Sequence, residues 1–106
     1  DDGAFIRHML DETGFISRAM KDISYEQLLK NETLKRACLR SLEVIGEAAK
    51  NVSADFKDKH TDLEWKEMAG LRDKLIHFYF GVDWKIVWDV IKNKIPAVND
   101  RLAKLL

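Results

Sequence analysis

A single cysteine, Cys38, stands in the whole sequence, so no internal disulfide and no paired-thiolate zinc site can form. Its apolar neighbours suggest a buried, inert thiol in a reducing compartment. Net charge is also absent: 18 basic residues balance 18 acidic ones, which argues against a protein whose main task is coating nucleic acid but leaves room for a local basic patch. No apolar run approaches the roughly 18 residues of a membrane span, and no signal-peptide pattern opens the chain, so a cytoplasmic location is expected. In that setting the sequon Asn51-Val52-Ser53 goes unused. The chain begins at Asp1 without a methionine, so a few native residues are expected ahead of it.

Sustained period-two alternation, Asn-Gly and Asp-Gly turns and internal repeats are all missing, which removes the usual signals for hairpins and sheets. Helical periodicity is there instead. Ile6, Met9, Thr13, Ile16 and Met20 predict a first helix over about residues 2–21. Ser24 and Gln27 form a capping box ahead of a short helix through Leu28 and Leu29. Leu34, Cys38, Leu42, Ile45, Ala49 and Val52 predict a second long helix over 31–51, whose Gly46, Ala48 and Ala49 allow a neighbouring backbone to come close. Residues 53–61 read as an irregular loop, with Asp62 positioned to cap the next helix. A last helical stretch starts at Asp83 and is kinked or restarted near Ile95 by Pro96, the only proline. With 106 residues, the expectation is one domain over 1–106, an all-α up-and-down bundle of four to five helices plus a short one.

The densest chemistry lies in Met68-Ala-Gly-Leu-Arg72-Asp73-Lys-Leu75-Ile76-His77-Phe78-Tyr79-Phe80. On a continuous helix, Met68, Leu71, Leu75 and Phe78 form one apolar stripe, while Ile76 and Phe80 fall outside it. That implies a second apolar contact, most simply with another copy of the chain across a two-fold axis. Arg72 and Tyr79 then share a face, as do Asp73 and His77, and Gly81 serves as a left-handed C-cap. Arg72 and His77 diverge by roughly 140°, so two copies rather than one aim both at a small target.

Glycine-rich phosphate loops, His-Glu-x-x-His and nucleophile elbows are absent. His8, on a polar helix face, and His60, in a loop, read as solvated. For Arg72, Asp73, His77 and Tyr79 the residues alone leave two readings open. One is a reactive cluster; the other is a structural Asp73–His77 pair with Tyr79 as a core aromatic.

Arg72-x4-His77-x-Tyr79 resembles the Arg-x4-His-x-Tyr motif of the HEPN superfamily, specifically its HepT toxin branch. The surrounding segment Trp65 to Asp83 is similar to the family throughout. So are Ser41-Leu-Glu-Val-Ile-Gly-Glu-Ala-Ala-Lys50 and Ser24-Tyr-Glu-Gln-Leu-Leu-Lys30. The resemblance implies a helical homodimer acting as a metal-independent ribonuclease, with both motifs meeting at the dimer interface and no cofactor. It further implies a toxin paired with an MntA-like nucleotidyltransferase antitoxin that attaches AMP to Tyr79. Arg72 and His77 are then the catalytic residues, with Asp73 and Tyr79 supporting them. Three departures stand out. Asp73 replaces the more usual asparagine and adds charge beside the phosphate site, Phe78 makes the cleft more apolar, and Thr61-Asp-Leu-Glu64 lacks a proline. A nuclease-inactive nucleotide-binding domain and a dimerisation module for the antitoxin are the other functions left open.

Overall fold

The computed structural model describes residues 1–77 and 81–106, and it is all-α apart from one two-residue hairpin. Helix α1 (Asp2–Ala19) is started by the Asp1 carboxylate, which accepts the Ala4 N–H at 2.7 Å. It buries Ile6, Met9, Thr13 and Ile16 along one stripe, as the periodicity predicts. The short α2 (Tyr25–Lys30) carries the expected capping box: Ser24 N–H donates to Gln27 Oε1 at 2.8 Å, and Gln27 N–H donates to Ser24 Oγ at 3.1 Å. The long α3 (Glu32–Asn51) buries Cys38, Leu42, Ile45 and Ala49 against α1.

Four polar contacts, three of them partly buried, set how these helices lie. Ser41 Oγ donates to Glu12 at 2.7 Å, and Ser53 bonds Asp2, so α3 runs antiparallel to α1. Thr13 Oγ1 lies 2.7 Å from Asn99 Oδ1, and Lys92 Nζ donates to the Met20 carbonyl at 2.9 Å, which runs the C-terminal stretch antiparallel to α1 as well. Helix α1 therefore lies between two neighbours, and Leu102 and Ile95 close the core from the C-terminal side.

Three expectations for residues 53–65 need correction. The segment after α3 is not a loop: Ser53 caps α4 (Ala54–Lys59), its Oγ accepting the Phe56 N–H at 3.2 Å. Asp62 does not cap the next helix. Helix α5 (Trp65–Ala69) starts after Glu64 with no side-chain cap, and Leu63 is buried in the preceding turn. His60 is half-buried rather than solvated; its ring lies 4.4 Å from that of Phe56, and its carbonyl accepts Trp65 Nε1 at 2.9 Å.

The largest correction falls on the central segment. Instead of one helix through Phe80, α6 (Leu71–Leu75) stops after Leu75, and the chain turns into a hairpin of β1 (Ile76–His77) and β2 (Gly81–Val82). Ile76 pairs with Val82 and His77 with Gly81, and Asp83 N–H donates to the Leu75 carbonyl at 2.9 Å. Ile76 is β-branched and His77 carries a ring, side chains suited to a pleated strand, and at these two positions that preference prevails over the helical stripe. Gly81 does take the left-handed region, at φ +78°, but as a strand residue rather than a helix cap. Ile76 packs, partly buried, on the core of its own chain, so it requires no second copy to cover it. The readings of Phe78, Tyr79 and Phe80 lie outside the described residues.

Asp83 then caps α7 (Trp84–Asp89), which widens into a π-helical turn (Val90–Lys94) before α8 (Ile95–Ala103). The expected disruption at Pro96 takes this form. Pro96 offers no N–H to the chain four residues back, and the wide turn, closed by Ile95 N–H on the Val90 carbonyl, absorbs the interruption. No helix among the described residues is long and apolar enough to cross a membrane.

Candidate functional site

Arg72 reaches its place through Gly46. A side chain at Gly46 would bring its Cβ to 3.0 Å from the Met68 carbonyl and 3.9 Å from Leu71 Cβ. With hydrogen there instead, the α5–α6 junction lies directly on α3. Leu71 and Leu75 point into the core, which leaves Arg72, Asp73 and Lys74 exposed. Arg72 Nε comes 3.8 Å from Glu43 Oε2 on α3. With the arginine side chain 62% exposed and the glutamate 29%, the attraction is worth at most about 1 kcal/mol, so its effect is on direction rather than stability. Among the described residues the two Nη groups have no protein partner, which leaves the guanidinium fork available to an anion.

Arg72 stands on the rim of a groove of about 450 Å³ between α1 and α3. Gly46, Ala48 and Ala69 line it where side chains are small. Its charged residues are Arg40, Lys50 and Arg72 against Glu43 and Glu47, with Phe5 and His8 on the α1 side. His8, which the sequence presents as an ordinary solvated histidine, is exposed on the same groove as Arg72. The two are 64 positions apart in the chain, and no local motif links them. Among the described residues no three His, Cys, Asp or Glu side chains gather as a metal site requires.

The hairpin changes how the motif is held. Arg72 and Asp73 lie on α6, whereas the His77 backbone is on β1, past the helix end, so Asp73 and His77 are not neighbours on one helical face. The side chain of His77 and all of Tyr79 lie outside the described residues. Cys38 takes no part: it is fully buried, and burial pushes its thiol up to about 11.

The family profile "Ribonuclease HepT-like" matches residues 9–105, nearly the whole of this bundle. This chain belongs to the HepT-like ribonuclease family. It is 45% identical over 102 residues to a protein of Caldanaerobacter subterraneus subsp. tengcongensis provisionally named an RNase, with 96% of this chain and 91% of that protein covered. A second relative with the same provisional name, from Methanocaldococcus jannaschii, is 45% identical over 93 residues, covering 88% of this chain and 77% of its own. A third, from Thermococcus cleftensis, is provisionally named ribonuclease HepT. It is 39% identical over 101 residues, covering 95% and 92%. No solved structure matches the chain. The Arg72-x4-His77-x-Tyr79 motif therefore sits in a HepT-like bundle whose arginine is presented at a groove and whose histidine follows a helix end.

Proposed function

We propose that this protein is a metal-independent endoribonuclease, the toxin of a toxin–antitoxin pair, cutting RNA at a composite site where two copies of domain 1–106 meet. The observation that carries the reading is Arg72, an exposed arginine lining a groove with its Nε 3.8 Å from Glu43, five residues ahead of His77 in a HepT-like family member. RNA supplies its own nucleophile. His77 of one copy takes the proton of the ribose 2′-hydroxyl as its oxygen bonds to phosphorus. The bond from phosphorus to the 5′-oxygen breaks, and His77 of the other copy gives that oxygen a proton, leaving a 2′,3′-cyclic phosphate and a 5′-hydroxyl. Histidine suits both roles because it titrates near neutral pH, and each is typically worth about 10²–10⁴-fold. Arg72 holds the phosphate bidentately and offsets the charge that gathers on its oxygens. Asp73 tunes the anion site, and Tyr79 contacts phosphate or base.

The partner in this reading is an MntA-like nucleotidyltransferase antitoxin that acts with it in the cytoplasm. It moves AMP from ATP onto the Tyr79 oxygen with loss of pyrophosphate, and the added anion repels RNA from the cleft.

The test incubates the purified chain with total tRNA and mRNA in EDTA, beside Arg72→Ala and His77→Ala. Cleavage by the native chain that both variants lose supports the nuclease. Absence of cleavage with nucleotide binding retained favours the nucleotide-binding reading, and absence of both, with stable antitoxin binding, favours a dimerisation module. For the modification, intact mass after incubation with antitoxin and ATP rises by AMP units and Tyr79→Phe abolishes the rise; an unchanged native mass rejects it.

A further inference from the structure

Gly81 and Val82, the strand paired with Ile76 and His77, form part of the wall of a second, shallow groove of about 430 Å³. Its other lining comes from Tyr25 and Leu29 on α2 and from Trp84 and Lys85 at the start of α7. Strands in a ladder lie about 4.8 Å apart, so this groove begins one strand spacing from the His77 backbone. Its aromatics, Tyr25 and Trp84, are only half-buried.

The rings are braced. Lys35 holds Glu32 at 3.0 Å, and its ammonium lies 4.9 Å from the centre of the Trp84 ring. Trp88 is edge-on to Tyr25 at 5.6 Å, and Lys92 lies 4.9 Å from the Trp88 ring centre while bonding the Met20 carbonyl. Lys35 and Lys92 are thus committed to the protein, whereas Lys85 is exposed at the groove. Asp83, the one acid among the described lining residues, already accepts the Ile86 N–H at 3.3 Å as the α7 cap. Rigid aromatic faces beside a solvent-exposed ammonium are what single-stranded nucleic acid needs: π-surfaces for unpaired bases and a cation for the connecting phosphate.

We infer that the groove between α2 and the hairpin is a base-stacking subsite for single-stranded RNA, with Trp84 and Tyr25 as the platform and Lys85 on the adjoining phosphate. This rests on the ribonuclease reading for the choice of RNA, and it gives that reading a path for the substrate next to His77. Trp84, Tyr25 and Lys85 here bind and position the strand and take no part in proton transfer.

The probe is a short, fluorescently labelled 2′-O-methyl oligoribonucleotide of mixed sequence, which lacks the nucleophile and is not consumed. Anisotropy over a salt series reads its affinity. Trp84→Leu keeps apolar bulk but removes the π-face and weakens binding about tenfold. Lys85→Glu, at an exposed position that leaves the fold intact, weakens binding several-fold and lowers the salt slope by roughly one. Lys104→Glu, on the last turn, leaves both quantities as they are. Native affinity in both groove variants, or no binding by the native chain, overturns the subsite. If the native chain binds in a Trp84-dependent way but cuts no RNA in EDTA, the nuclease reading fails and the subsite stands. If it cuts RNA and both groove variants bind and cut equally well, the subsite alone fails.

Discussion

Gly46 is the position where one missing side chain does most for the arginine. Its hydrogen faces the Met68 carbonyl, a backbone atom that cannot swing aside as a side chain can. Gly46→Val is expected to destabilise the fold by about 1–3 kcal/mol in urea titration. RNA cleavage should fall further than the folded fraction does, because the α5–α6 junction carries Arg72. The need for small residues here is legible from Gly46, Ala48 and Ala49 alone, but which backbone they admit is not. Cys38 is the opposite case: its apolar neighbours announce a buried thiol, and burial raises it to about 11. A thiol reagent at neutral pH should therefore leave it untouched until denaturant unfolds the chain, then react with one equivalent. Prompt labelling of the native protein contradicts that. His8 and Glu43 could not be found this way, since their place beside Arg72 depends on how α1 and α3 pack rather than on any spacing along the chain.

Among the elements, those with strong local chemistry were readable and those decided by competition were not. The Ser24–Gln27 box is a two-way bond between residues three apart, so sequence suffices; Ser24→Ala should cost about 1 kcal/mol in thermal or urea unfolding. Ser53 carries the same kind of signal, but the segment it opens is mostly polar and shows no apolar stripe to mark a helix. Its hydroxyl and N–H also donate to the Asp2 carboxylate at 2.7 and 2.8 Å, which holds that acid below its ordinary value of 3.8. A depressed acid contributes stability that is present above its unfolded value and is lost as pH falls through its folded one. Native protein should thus lose part of its stability below about pH 3.8, and Asp2→Asn should lose less over the same range in acid-titrated unfolding. The hairpin was hidden for a different reason. Leu71 and Leu75 continue a helical stripe up to the residue where Ile76 and His77 begin a strand, and periodicity has no means of marking where one preference yields to the other.

On the scale of the whole molecule, the bundle is pinned at both flanks of α1 by Glu12–Ser41 and Thr13–Asn99, so its helices have one axial register. The proposed cleft asks more than this fold supplies alone, because Ile76 packs partly within its own chain and the pairing of copies is itself part of the proposal. The proposal has a kinetic signature. If two copies build each site, cleavage per unit of protein should climb with protein concentration and level off as dimers saturate, in step with sedimentation. Strict proportionality down to concentrations where only monomer sediments rules the composite cleft out.

The guanidinium and the imidazole hang from supports of unequal strength. Arg72 belongs to a helix seated on α3, whereas the histidine follows on a ladder two residues long, and so short a ribbon has little cohesion of its own. Gentle warming should therefore slacken the ribbon well before the helices melt. If His77 acts as proposed, RNA binding measured over that interval should outlast RNA cleavage.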